Sequence, residues 1–261
     1  MLLSATAITA AANLEQPPCR TITVVTHRPE TLTQTPQASL LAIEQALDQG
    51  TYRKGPWQAL TQQVEQMPLA ERQRLAPDLD RVSNKLHGQQ GHQQWPLLAG
   101  LLLEGALLML GLQWLDHPDL LPRIVAVGAI TLSLQPAMKL VMGLLLGVRY
   151  SYMYLWYVEP RFKLRYGTYL ALPAERRVMF HLAGSLGTPI ALFIGYQALA
   201  SVAWLAALCL VGCGITALMQ VAAFVASWRG VRKVGPFLLT SLTTPATLAR
   251  ELKALRARQK D

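Results

Sequence analysis

Glu104 and Lys139 stand well inside long apolar runs of this 261-residue chain. A bare charge at the centre of a bilayer costs at least about 2.5 kcal/mol on insertion scales, so such residues need a partner or a task. Glu104 lies nine residues after Trp95, and Lys139 ten before Arg149. At ~1.5 Å of helical rise per residue, both fall roughly 14 Å inside their segment ends, level with each other. The spacing predicts an interhelical ion pair, with Gln135 one turn from Lys139 on the same face. Such a pair either makes each charge tolerable in lipid and sets helix register, or works as a proton or ion relay near the midplane. One matched pair is short of a pathway, which favours the structural role.

Two further polar residues, His181 and Gln220, sit in apolar runs. Placed within about a turn and a half of Arg176 and Arg177, His181 could titrate or ligate a metal. No HExxH accompanies it, and His27, His87, His92 and His117 are scattered outside the apolar runs. Three zinc ligands and a general base therefore have no recognisable spacing, and interfacial hydrogen bonding is the expected role. Cys209 and Cys213 share a helical face, where packing is expected over metal or redox chemistry. The three cysteines make no disulfide framework. No phosphate-binding GxxxxGK[ST], GxSxG elbow, strand-to-helix GxGxxG or CxxC occurs. The residues specify no catalytic group, no metal and no particular cofactor.

The elements that must position these groups are helices in lipid. Apolar residues make up 52% of the chain and charged residues 15%, against about 25% charged in an ordinary soluble domain. A bilayer crossing needs about 20 apolar residues. Four stretches qualify: Trp95 to Leu115, Leu121 to Val148, Val178 to Leu199 and Val202 to Trp228. The last two are close enough to form a tight antiparallel pair. Ala183, Gly187, Ala191 and Gly195 recur every fourth residue, and Gly143 and Gly147 form a GxxxG, as close helix contacts in membranes require. Pro189 is expected to kink its helix and free the Ser185 carbonyl.

Basic residues set the expected orientation, because Lys and Arg in short loops stay cytoplasmic. Six (Arg149, Arg161, Lys163, Arg165, Arg176 and Arg177) lie between the second and third spans, and eight follow Trp228. Arg123 alone marks the connection after the first span, and the turn near Ala200 has none. Both termini and the middle connector are thus expected in the cytoplasm. From Arg149 to Tyr169 aromatics alternate with cations, a pattern suited to anchoring at anionic headgroups. Glu159, Pro160 and Gly167 suggest a defined turn, so "EPRFKLRYG" is read as a folded surface that docks lipid headgroups or another protein.

Four domains follow. Residues 1–34 form an N-terminal segment with one candidate strand, Arg20 to Arg28, and no positively charged leader of the secretory type. Residues 35–94 form a small helical cytoplasmic domain and a polar hinge, "GQQGHQQ". Thr35 and Pro36 start its first helix, Gly50 stops it, and Pro77 is expected to interrupt the last. Its apolar set, Leu40, Leu41, Ile43, Leu47, Trp57, Leu60, Val64, Leu69, Leu75, Leu79, Val82 and Leu86, is small enough to be marginal alone. Residues 95–228 are the four-span region. Residues 229–261 form a basic cytoplasmic tail, whose Leu248, Leu252 and Leu255 line one face of an amphipathic helix.

The expected fold is therefore all-α: an integral membrane four-helix bundle with a small N-terminal helical domain and a C-terminal amphipathic helix. The net charge of +9 lies entirely after residue 94, spread between apolar segments, which points to anionic lipid rather than nucleic acid. The leading functional reading is a non-catalytic subunit, adaptor or assembly factor of a membrane complex, with a protein partner or a second copy. The alternatives are a small transporter or channel subunit using Glu104, Lys139, Gln135 and Gln220, and a membrane enzyme centred near His181. A polar cavity reaching Glu104 would favour transport; a dry helix core would favour the adaptor.

Overall fold

A computed structural model describes residues 35–53, 55–89, 91–156, 159–231, 233–234, 237–238 and 243–258. The expected segment 1–34, with its candidate strand and Cys19, lies outside them. Helix α1 (Pro36–Asp48) starts where Thr35 Oγ1 accepts the Ala38 N–H at 3.3 Å, and it ends before Gly50, whose φ of 68° only glycine adopts readily. Helices α2 (Pro56–Gln66) and α3 (Leu69–Gly88) complete a three-helix layer. Pro77 does not interrupt α3. Proline removes one intrahelical hydrogen bond, and the contacts along both halves of α3 hold it as one helix.

The core of this layer matches the apolar spacing at Leu40, Ile43, Leu47, Leu60, Val64, Leu75, Leu79 and Val82. Leu41 and Leu69 are instead exposed. Tyr169, Leu170 and Phe180, from far along the chain, close the same core. A layer too small to be stable alone is thereby completed by the middle connector and a long helix.

Four helices are long and apolar enough to cross a membrane: α4 (Leu97–Trp114), α5 (Leu120–Leu146), and, after the connector, those at Ala174–Ala198 and Ala203–Trp228. Before α4, strand β1 (Gln94–Trp95) replaces the expected hinge and span start. It pairs antiparallel with β2 (Tyr150–Trp156), which pairs with β3 (Glu159–Leu164), giving sheet order β1-β2-β3. Tyr150↔Leu164 and Tyr152↔Lys163 differ by one residue in register, so β2 carries a bulge there. The short helix α6 (Tyr166–Leu170) leads into α7 (Ala174–Ala198) and α8 (Ala203–Trp228). A two-strand ladder, β4 (Lys233–Val234) with β5 (Phe237–Leu238), precedes the C-terminal helix α9 (Thr243–Arg258).

The long helices pack in chain order, α4 on α5, α5 on α7 and α7 on α8. Among the described residues no substantial contact joins α4 to α8, and there the row is open. Glycine makes two of the close approaches. A Cβ on Gly187 would strike the Gln135 backbone, and one on Gly195 would lie 2.6 Å from Val127 and 3.2 Å from Cys209 Sγ. Ala183 and Ala191 are buried on that stripe. Gly147 does something other than pack helices: at φ 92° it ends α5, and the Val148 N–H returns to the Gly143 carbonyl at 2.8 Å. Pro189 stays within α7, and its carbonyl accepts the Cys213 thiol at 3.3 Å. The alternating direction of the row brings the α1–α3 layer, the sheet, α6 and α9 to one end, called the cap. Arg123, at the other end, ties α5 to the α7–α8 turn through the Ala198 carbonyl (3.3 Å) and Ser201 (2.8 Å).

Candidate functional site

The cap is fastened to the long helices by buried charge. Arg177, in the first turn of α7, is 1% exposed; its Nη2 and Nε lie 2.8 and 2.9 Å from Glu251 Oε2 on α9. Glu251 Oε1 accepts the Tyr169 hydroxyl proton at 2.9 Å. That hydroxyl has one proton. Its 2.7 Å contact with His181 Nε2 therefore requires Nε2 to be the donor. His181 Nδ1 is buried without a hydrogen-bond partner among the described residues.

Arg177 Nη1 also reaches the carbonyls of Leu170 and Leu172, both at 3.4 Å. Buried Arg72 of α3 donates to the same two, at 2.9 and 3.4 Å. Two arginines thus serve the carbonyls left open where α6 ends. Burial and the Glu251 carboxylate push the Glu65 pKa up, and burial pushes the Tyr166 hydroxyl up to about 12. Arg72, Tyr169, Arg177, His181 and Glu251 join α3, α6, α7 and α9 into one unit.

The connector is built into this unit. Asp80 accepts the Gly167 N–H at 2.6 Å at the start of α6, and a Cβ on Gly167 would strike the Ala76 backbone. Lys163 donates to Ser83 Oγ at 2.6 Å, and burial brings its pKa down to about 8. Tyr152 bonds His87 Nδ1 at 2.8 Å, and the rings of His87, His92 and Tyr154 pack together, His87 edge-on to Tyr154. The expected basic surface therefore divides. Arg165 and Arg176 are exposed, while Arg177 and Lys163 are drawn inward by Glu251 and Ser83.

A cleft of about 220 Å³ lies between α5, the β2–β3 hairpin, α7 and α9. Gln135, Lys139, Tyr150, Tyr154, Arg161 and Thr244 give it polar groups. Gly184 makes room for the Lys139 stem, since a Cβ there would be 3.2 Å from Lys139 Cδ. The Lys139 ammonium lies 3.4 Å from Thr244 Oγ1 and 5.3 Å from the Phe180 ring centroid, a cation–π distance. Tyr150 donates to the Lys139 carbonyl at 3.0 Å, and Gln135 Oε1 accepts from Thr188 at 2.6 Å.

Glu104 lies on α4 and Lys139 on α5, and the Lys139 side chain, on its flexible four-carbon stem, extends to the Thr244 hydroxyl of the cap. Glu104 is buried on the face of α4 that carries Gly100 and Gly111, which contact Met153, Phe162 and Ile130. Gln220 is half-buried on α8 and does not line the cleft.

Sequence reasoning missed Glu251 and Tyr169. Glu251 looks like a solvated charge of a basic tail, and only the docking of α9 onto α7 gives it Arg177. No family model, curated protein or solved structure matches this chain.

Proposed function

We propose that this is a multi-pass membrane protein whose cap, in the cytoplasm together with both ends of the chain, is a docking platform for a membrane complex. It acts as a non-catalytic subunit, adaptor or assembly factor. The orientation is supported by charge: the six cations between Arg149 and Arg177 and, after Trp228, Arg229, Lys233, Arg250, Lys253, Arg256 and Arg258 belong to the cap end, against Arg123 at the other. The observation that carries the reading is the buried clamp of Arg72, Arg177, Tyr169 and Glu251, which holds α1–α3 and α9 as a fixed surface on the long helices.

An open groove of about 540 Å³ in the cap has an apolar floor that includes Leu69, Leu146 and Leu172, with Arg149 and Arg176 among its lining. This chemistry suits an acidic amphipathic helix. Purification of the intact protein in mild detergent should bring down a stoichiometric partner, lost in R149E/R176E while membrane association is kept. A wild-type protein that runs as a lone monomer in several mild detergents, and cross-links to nothing in cells, would contradict the reading.

One observation favours a second reading, a transporter or channel subunit: the polar cleft reaches Gln135 and Lys139 between α5 and α7. Glu104 does not line it. Proton flux into proteoliposomes that Lys139→Gln abolishes would shift the conclusion to transport.

A further inference from the structure

We propose that the cleft between α5, the β2–β3 hairpin and the start of α9 binds the phosphodiester headgroup of an anionic lipid, an inference that rests on the long helices lying in a bilayer. Lys139 and Arg161 come to it from different elements, α5 and the β2–β3 hairpin. Thr244 brings its hydroxyl from the first turn of the 16-residue α9. The Tyr150 and Tyr154 hydroxyls and the Gln135 amide complete a polar wall, and Leu140, Phe162 and Phe180 are among the apolar residues opposite. Cation pairs, hydroxyls and a helix N-terminus together are a phosphate-binding chemistry.

Size and depth decide between a lipid and a whole soluble ligand. Sites for complete small molecules occupy about 300–1,000 Å³, so 220 Å³ takes a headgroup with the rest of the molecule outside. Lys139 lies seven residues before Leu146, the end of α5. At ~1.5 Å per residue this is roughly 10 Å below the helix end, the depth at which a lipid phosphate and its glycerol meet a transmembrane helix. Basic pockets between helices at a cytoplasmic interface hold phospholipid headgroups by this combination.

The test uses the full chain in a neutral detergent, titrated with short-chain phosphatidylglycerol, short-chain phosphatidylcholine or inorganic phosphate, with bound ligand counted by native mass spectrometry. One phosphatidylglycerol should bind, with phosphatidylcholine and inorganic phosphate each at least about tenfold weaker, and K139Q/R161Q should lose at least about tenfold in phosphatidylglycerol affinity. The charge-preserving K139R/R161K should bind within about threefold of wild type, with an unchanged unfolding midpoint showing that the fold survives. Equal binding of phosphatidylcholine, or wild-type binding by a folded K139Q/R161Q, would overturn the proposal. Equal binding of inorganic phosphate would make the ligand a soluble anion and overturn the lipid assignment. Resistance to alkaline carbonate extraction separates the two levels: extraction sinks the membrane reading itself, whereas retention without phosphatidylglycerol binding sinks the cleft alone.

Discussion

Glu251 shows how much of the cap depends on one side chain. Removing its charge leaves the Arg177 guanidinium buried beside Tyr169, and losing one partner of a buried pair costs about 3–5 kcal/mol. Glu251→Gln should therefore lower the thermal unfolding midpoint in detergent sharply. R177M/E251L should recover most of the loss, because Arg72 still serves the Leu170 carbonyl and apolar replacements of buried pairs are often neutral. A Glu251→Gln protein as stable as wild type would show the clamp to be idle. His87 gives the cap a pH response. Burial first, then the charges of Lys163 and His92, bring its pKa from 6.5 to about 4. A histidine with a depressed folded pKa stabilises fully above its unfolded value and loses that contribution as pH falls. Cap stability should thus decline between pH 6.5 and 4, followed by hydrogen exchange of α3, and His87→Gln should flatten that decline; an equal slope in the variant would refute it. Glu104, Lys139 and His181 were legible as residues needing an explanation, because a charge or imidazole in an apolar run is conspicuous. Arg177 and Glu251 were not. Each resembles a surface charge in its own segment, and 74 residues separate them.

The long helices were readable because apolar length is a strong signal, and the Thr35–Pro36 start because capping is local chemistry. The hairpin was passed over. Tyr150, Tyr152 and Tyr154 alternate with period two, a strand signal, yet their closeness to cations reads equally well as headgroup anchoring. What decides is tertiary: Met153 seats on Gly100, Tyr150 on Gly143, and Tyr152 on His87. The same reason removed Gly147 from the packing stripe, since a glycine near a helix end serves as a cap. Two substitutions test the close approaches. Gly187→Leu should separate α5 from α7, and Gly167→Ala should lift α6 off Ala76, each costing about 1–3 kcal/mol or more by overpacking. Unfolding in detergent measures both, and unchanged midpoints would show that the approaches relax freely.

At the scale of the whole molecule, the cap and the long helices complete each other. The α1–α3 core is small, and Tyr169, Leu170 and Phe180 close it; Leu248 and Ala249 of α9 are buried in turn where α9 packs against α7 and α8. The open row leaves α8 with 6% of its most apolar window buried at a mean hydropathy of 2.1, a surface that water would not tolerate and lipid would cover. Membrane crossing with the cap on the basic side is the central claim. It is tested by labelling single-cysteine variants, on a background lacking Cys19, Cys209 and Cys213, with a membrane-impermeant thiol reagent in intact cells. His117→Cys and Ser201→Cys should react at once, while Glu175→Cys and Lys253→Cys should react only after permeabilisation. Labelling of Glu175→Cys or Lys253→Cys in intact cells, or equal labelling of all four, would contradict the account.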